Sequence, residues 1–327
     1  MSASHLNRYM LGVIAALGIL AGCGAHSQVT PTATAASQAT HGKSWMKPGT
    51  SAEDLLYVTD KVNSLVYVFS YPGLQKVGTL DGFNLPFGEC IDGAGNIWIV
   101  NQSPPEAIEY AHAGTKPIAT LSVPGDIPYG CAVDPKSGNL AVTYSNNNVA
   151  IYPDAQGTPL TYTDSAFYRL KFCSYDNEGN LFFVGSGWDR VAKLPQGSSS
   201  FIIVEFNKGL QAILSIQWDG KYLAIGGNQP AERAGPEKVY QVQISSGYGT
   251  VETTTYLHHA RGHGAFAQFW IEGSTIVQSF GDSSRYLGVW NFPEGGSPVT
   301  HYQQGSRRYL FGSVISPAYS SATQTKR

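Results

Sequence analysis

One short pattern, a strand followed by a tight turn and a second strand, recurs through this chain and limits the folds open to it. Its clearest copy is Pro86 to Val100, PFGECIDGAGNIWIV. Gly88 to Asp92 alternates small and apolar residues, Asp92 to Asn96 carries the Asp, Gly and Asn of a hairpin turn, and Ile97 to Val100 is β-branched and aromatic. Further copies begin at Pro128, Leu170, Ile213 and Ala267. The first residue after each turn falls at Leu55, Ile97, Leu140, Leu181, Tyr222 and Thr275, at intervals of 42, 43, 41, 41 and 53 residues. Each interval holds about four β-runs, the period of a propeller blade. In the second unit the runs are Gly88 to Asp92, Ile97 to Asn101, Ala107 to Ala111 and Pro117 to Ser122. They are apolar on both faces, as strands packed between neighbouring sheets must be.

The count closes only if the two ends of the chain meet. The segment from Leu55 opens with a second-strand run and has no first strand before it, whereas Tyr309 to Ser316, YLFGSVIS, has the alternation of a first strand. The expectation is an all-β fold, a six-bladed β-propeller over residues 54–317, with one-plus-three closure by the C-terminal strand and a polar tail from 318 to 327. Closure removes the sheet edges that invite aggregation, and the chain is read as a monomer. The 37 glycines and 18 prolines among 327 residues agree with a turn-rich β protein.

At PFGECIDGAGNIWIV and PYGCAVDPKSGNLAV the chain resembles the NHL repeat, whose pattern runs proline, any residue, glycine, an apolar and small alternation, aspartate, a glycine-asparagine turn and an apolar strand. The resemblance implies a six-bladed propeller of the kind shared with gluconolactonase-like and amidating-lyase proteins. It does not imply their chemistry.

Residues 1 to 22 read as a signal peptide: Arg8 gives a weak basic start, and the apolar run from Met10 to Ala21 is shorter than the ~20 residues needed to span a bilayer. Leu20-Ala21-Gly22-Cys23 resembles the lipobox of bacterial lipoproteins, which implies cleavage before Cys23 and lipidation of its thiol. Gly24 stands where an aspartate would mark inner-membrane retention in the enterobacterial family, so the expected address is the bacterial cell envelope, lipid-anchored, on the outer-membrane or periplasmic side. Residues 23–53 are rich in Ala, Ser, Thr, Gln and Pro and read as a flexible lipidated tether, with Trp45 its one candidate for docking.

The formal charge of −2, with scattered Lys and Arg, supplies no footprint for a nucleic-acid backbone. Four cysteines are present. With Cys23 assigned to the lipid, any disulfide leaves one thiol odd. Only Cys90 and Cys131 sit where they could meet across a blade interface, and the reading adopted is buried small thiols filling tight strands.

In a propeller, the loop entering each first strand and the loop joining the second and third strands emerge at the same end of the axis. That end collects Phe87, Tyr129, Tyr168, Arg169, His263, Arg308 and Tyr309 from entry loops, and Trp188 and Arg190 from a second-to-third loop. Rings with guanidinium groups suit a saccharide, peptide or protein ligand. The alternative is that such residues merely plug the funnel.

Gluconolactonase-like proteins place a glutamate, two asparagines and an aspartate at their first-strand mouths. Here those positions hold Pro86-Phe87-Gly88, Pro128-Tyr129-Gly130 and Arg169-Leu170-Lys171, with no acid among them, so no metal is expected. Glu89, one residue further in, reads as a satisfied core or channel group. His258, His259 and His263 crowd one stretch rather than converging from several blades, and His112 and His301 fall at strand ends away from the axis. Gly185-Ser186-Gly187 lies between strands and opens no helix, so no dinucleotide or other cofactor is expected. Two function classes follow: an envelope-anchored binding scaffold using the funnel face, or a metal-independent hydrolase or lyase at the same mouth.

Overall fold

The computed structural model describes residues 43–125, 127–163, 165, 167, 169–185, 190–210, 212–227, 235–258, 266–281, 286–303 and 309–318. All of them belong to the compact unit Thr40–Arg327. The signal sequence, Cys23 and the first part of the tether lie outside the described residues, as do Tyr168, Trp188, His259, His263 and Arg308.

The fold is an all-β propeller. Among the described residues the strands group into six antiparallel meanders of four. Blade 2 is typical, with strands Pro86–Ile91, Ile97–Gln102, Pro105–Tyr110 and Pro117–Ser122. Blade 3 begins with Pro128–Val133, blade 4 with Leu170–Tyr175, blade 5 with Ile213–Trp218 and blade 6 with Phe266–Glu272. Blade 1 takes its first strand, Val314–Ser316, from the C-terminus, paired antiparallel to Leu55–Asp60, so that Leu55 faces Ser316 and Tyr57 faces Val314. This is the one-plus-three closure. The strand is shorter than Tyr309 to Ser316, because only an isolated bridge between Asp60 and Leu310 precedes it and Phe311 leaves the ladder for the axis.

The alternation of each strand explains why its residues are apolar in succession. In the second strand of blade 1, Leu55 and Tyr57 pack with Ile97, Ile99 and Ile108 of blade 2. Leu56 and Val58 pack with Val277, Leu287 and Val289 of blade 6. The other interfaces repeat the arrangement, with Trp98 and Val142 between blades 2 and 3, Ile151 and Phe183 between 3 and 4, Phe182 and Ile225 between 4 and 5, and Ala224 and Phe269 between 5 and 6. Every interface of the ring is thus a buried core.

Two sequence expectations need correction. Residues 43–53, read as tether, are built onto blade 1. Trp45–Met46 adds a fifth strand beside Lys76–Leu80 and Thr50–Ala52 forms a 3-10 turn. Met46, not the exposed Trp45, packs against the core. Cys90 and Cys131 form a disulfide, with Cα atoms 5.6 Å apart, rather than standing as two thiols. Inner strands approach so closely that these two positions meet across the blade 2 and blade 3 interface, leaving Cys173 as the buried odd thiol. The 53-residue interval comes from a long hairpin in blade 5, Glu237–Ser245 with Tyr248–Leu257. Its outer strand pairs in parallel with the outer strands of blades 4 and 6.

Candidate functional site

The glycine of Pro86-Phe87-Gly88, of Pro128-Tyr129-Gly130 and of Leu310-Phe311-Gly312 has a steric cause. A Cβ on Gly88 would collide with the carbonyl of Tyr129 and lie 2.8 Å from the Gly130 Cα. A Cβ on Gly130 would lie 3.0 Å from the Cα of Phe172, and one on Gly312 would lie 2.5 Å from the Phe87 carbonyl. Glycine is required where neighbouring first strands converge on the axis. Polar side chains of second strands then join blades 1, 2, 3 and 6 to the blade that follows. Thr59 Oγ1 donates to the Phe87 carbonyl at 2.5 Å and Gln102 Nε2 to the Pro128 carbonyl at 3.0 Å. The Thr143 hydroxyl donates to the Lys171 carbonyl, and that of Ser279 to the Phe311 carbonyl at 3.0 Å.

These approaches bring together residues far apart in sequence. Phe87 stacks on Phe311 with ring centroids 4.3 Å apart and lies 6.3 Å from Phe172 in nearly parallel orientation. Tyr129 meets the Phe87 ring edge to face at 4.4 Å. Lys61, from the second-to-third loop of blade 1, sets its ammonium 5.0 Å from the centroid of Phe87 and 5.7 Å from that of Phe311. Lys171 holds its ammonium 4.0 Å over Tyr129. Such contacts contribute roughly 0.5–2 kcal/mol each, more where water is excluded. The Lys61 contact places a second-to-third loop and two entry loops at one end of the ring.

The sequence-derived candidates separate here. Phe87 is 3% exposed and belongs to the packed layer that fills the axis. Tyr129 is half-buried at its edge, Arg190 is half-buried, and Arg169 and Tyr309 are exposed. Tyr309 shares its position with Leu85 and Ile127, since the backbone carbonyl of each accepts an amide from the loop or strand end beside it: Lys61 N at 3.1 Å, Gln102 N at 3.2 Å and Ser145 N at 2.7 Å. Leu85 and Ile127 are also exposed. Leu85, Arg169 and Ala212, each immediately before a first strand, have φ of 60°, 53° and 48°. Left-handed backbone at a leucine and an arginine costs of order 1 kcal/mol or more and is held by the surrounding loops. Sequence reading missed Lys61, Lys171, Phe172 and Phe311, although Phe172 and Phe311 stand at or beside the glycine position of their repeats.

Among the described residues, His112 and His301 have separate partners. His112 bonds through Nδ1 to the Ser316 hydroxyl at 2.7 Å, and His301 stacks on Tyr286 in blade 6. Among the described residues no group of three or more His, Cys, Asp or Glu side chains is placed to hold a metal ion.

Glu89 is not satisfied in the way the sequence led one to expect. It is fully buried, neither carboxyl oxygen has a hydrogen-bond partner, and desolvation raises its pKa well above the usual carboxylate value. Its backbone is held by Gln268 of blade 6, which accepts from Glu89 N at 3.0 Å and donates to the Glu89 carbonyl at 2.6 Å.

No family model matches the chain, and no curated protein matches it in sequence. Among solved structures, the fold is similar to a chain in the crystal structure of a nidogen/laminin complex, with a TM-score of 0.62 and 11% identity over 81% of this chain and 99% of that one. It is also similar to the hydrazine synthase of Kuenenia stuttgartiensis, with a TM-score of 0.53 and 14% identity over 80% of each chain. At these identities the likeness is one of propeller fold.

Proposed function

We propose that this protein is a lipid-anchored propeller of the bacterial cell envelope that serves as a binding scaffold, using the entry-loop end of the ring for a saccharide, peptide or protein. The observation that carries this reading is the mouth itself. Phe87, Phe172 and Phe311 close the axis as a packed aromatic layer, Lys61 and Lys171 lie over its rings, and Leu85, Ile127 and Tyr309 are exposed around it. A shallow surface of rings, aliphatic side chains and cations offers stacking area and charge to a ligand that rests on it.

The address rests on Leu20-Ala21-Gly22-Cys23 and on Gly24 after the cysteine. The Cys90–Cys131 disulfide supports it, because such bonds persist in oxidising compartments outside the cytosol. The proline-x-glycine and aspartate positions of blades 2 and 3 support a place for the ring among NHL-like propellers.

The test is a screen of saccharide, peptide and envelope-protein arrays with the wild-type protein and the Tyr129→Ala and Lys171→Ala variants. The expected result is a ligand whose affinity falls several-fold in both variants with little change in Tm. Finding no ligand, or finding binding undiminished in both variants, would overturn the assignment.

A further inference from the structure

The other end of the axis holds a separate feature. First strands run from the mouth towards their turns, and around those turns lies a half-open cavity of about 350 Å³, walled by blades 2 to 6. A water occupies ~30 Å³ of liquid, so the space holds a solute of several heavy atoms. Its walls include Tyr175, Trp218, Phe269 and Trp270, and Glu89 is among the lining residues.

Most other polar side chains in this wall are committed. Gln268 is bonded to the backbone of Glu89, and Gln217 exchanges a like pair of hydrogen bonds with Ile271, at 2.6 and 3.0 Å. Ser174 Oγ accepts from Trp218 N at 2.8 Å, and Asn177 accepts from Trp218 Nε1 at 3.1 Å and donates to the Gly220 carbonyl at 3.3 Å. Asp92 caps its own turn through Ala94 N and Asn96 N. Only the Glu89 carboxyl is left with both oxygens unpartnered, and no Lys, Arg or His lines the cavity among the described residues. A buried carboxyl without partners is costly, and each such group in a native structure calls for an explanation.

We propose that this cavity is a binding site for a small organic cation, an alkylammonium, whose charged head pairs with Glu89 and whose alkyl part lies against Trp218 and Trp270. Indole and phenol faces attract cations, and together with a carboxylate they form the kind of cage that selects ammonium groups. Burial favours the protonated carboxyl in the empty site, so pairing with the ammonium ion is coupled to release of a proton to buffer. This site is independent of the funnel face and stands whether or not that face binds a ligand.

Titration calorimetry of the full chain with n-butylammonium chloride, against n-butanol as the neutral counterpart, tests the proposal. The expected result is saturable n-butylammonium binding, with an enthalpy that varies with buffer ionisation as a proton is released. Binding should weaken at least tenfold in Glu89→Gln and several-fold in Trp218→Leu, and n-butanol should bind at least tenfold more weakly than n-butylammonium. Trp218→Leu alters the rim and leaves the buried carboxyl in place, so it decides the matter if Glu89→Gln fails to fold. Absence of saturable binding to the wild-type protein at 50 mM ligand on the order used for weak sites, or undiminished affinity in whichever variant folds, overturns it.

Discussion

Replacing Glu89 by Gln isolates one proton in the stability of the whole ring. In the unfolded chain this carboxyl titrates near the ordinary value of 4.5, and in the folded protein desolvation raises its pKa well above that. Between the two values the native state keeps a proton that the unfolded state has lost. Stability is therefore greatest below the unfolded pKa, falls as pH rises, and levels off once the folded-state pKa is passed. The slope for one proton is about 1.4 kcal/mol per pH unit, or roughly 2–4 °C in Tm per pH unit for a domain of this size. Glutamine has no proton to lose. The variant's stability relative to wild type should therefore improve with that slope from about pH 4.5 upwards and then hold constant. Any fixed difference from leaving an amide unpartnered adds an offset but no slope. Burial also raises the pKa of Glu106 and Glu109, and both remain in the two proteins, so their contributions cancel in the difference. Tyr57, the other titratable group that feels Glu89, titrates far above this window. Urea unfolding from pH 4 to 8 in acetate and phosphate, free of amines, measures the gap. A difference that stays constant with pH would refute the reasoning.

Three further outcomes are expected. Cys23→Ser should abolish incorporation of labelled palmitate and leave the Tm of the propeller unchanged, and continued labelling would overturn the anchor. Replacing both Cys90 and Cys131 by Ala removes a bridge across 41 residues, which on chain-entropy grounds costs up to about 4 kcal/mol, read as a lowered urea midpoint. Deleting the chain from Leu310 onwards removes the strand that pairs with Leu55–Asp60 and should leave an aggregating product in size-exclusion chromatography.

The ring was legible in the sequence because its determinants are local and repeated. The aspartate that ends a first strand caps its own turn: Asp92 accepts from Ala94 and Asn96, Asp134 from Lys136, Asp176 from Glu178 and Asn180, and Asp219 from Lys221 and Tyr222. A pattern fixed by hydrogen bonds within five residues survives in a single sequence. The residues that close the axis were less legible, because Phe172 stands where its neighbours have glycine, Phe311 precedes Gly312 without the proline that marks Pro86 and Pro128, and Lys61 acts from another blade. The disulfide was half visible: Cys90 and Cys131 were the one pair able to meet, yet the separation of inner strands decides whether they bond, and spacing does not encode it. The unsatisfied state of Glu89 had no sequence signal. Whether a carboxyl finds a partner depends on groups that other strands bring to it.

The two ends of the ring differ because one strand supplies both. Phe87 and Glu89 lie two residues apart in Pro86–Ile91, where the pairing with Ile97–Gln102 shifts register between Pro86 and Glu89. Phe87 is delivered to the aromatic layer at the mouth, and Glu89 to the wall of the cavity beyond it. That layer is packed from three blades. The same layer holds the mouth shallow, which suits it to a ligand that rests on the surface. A substitution that thins the layer, such as Phe311→Ala, therefore acts on both ends at once, whereas Tyr129→Ala at the rim of the mouth and Trp218→Leu at the rim of the cavity each act on one. Binding measured at both ends across these three variants separates a single through-channel, in which every change alters both, from two sites divided by a wall.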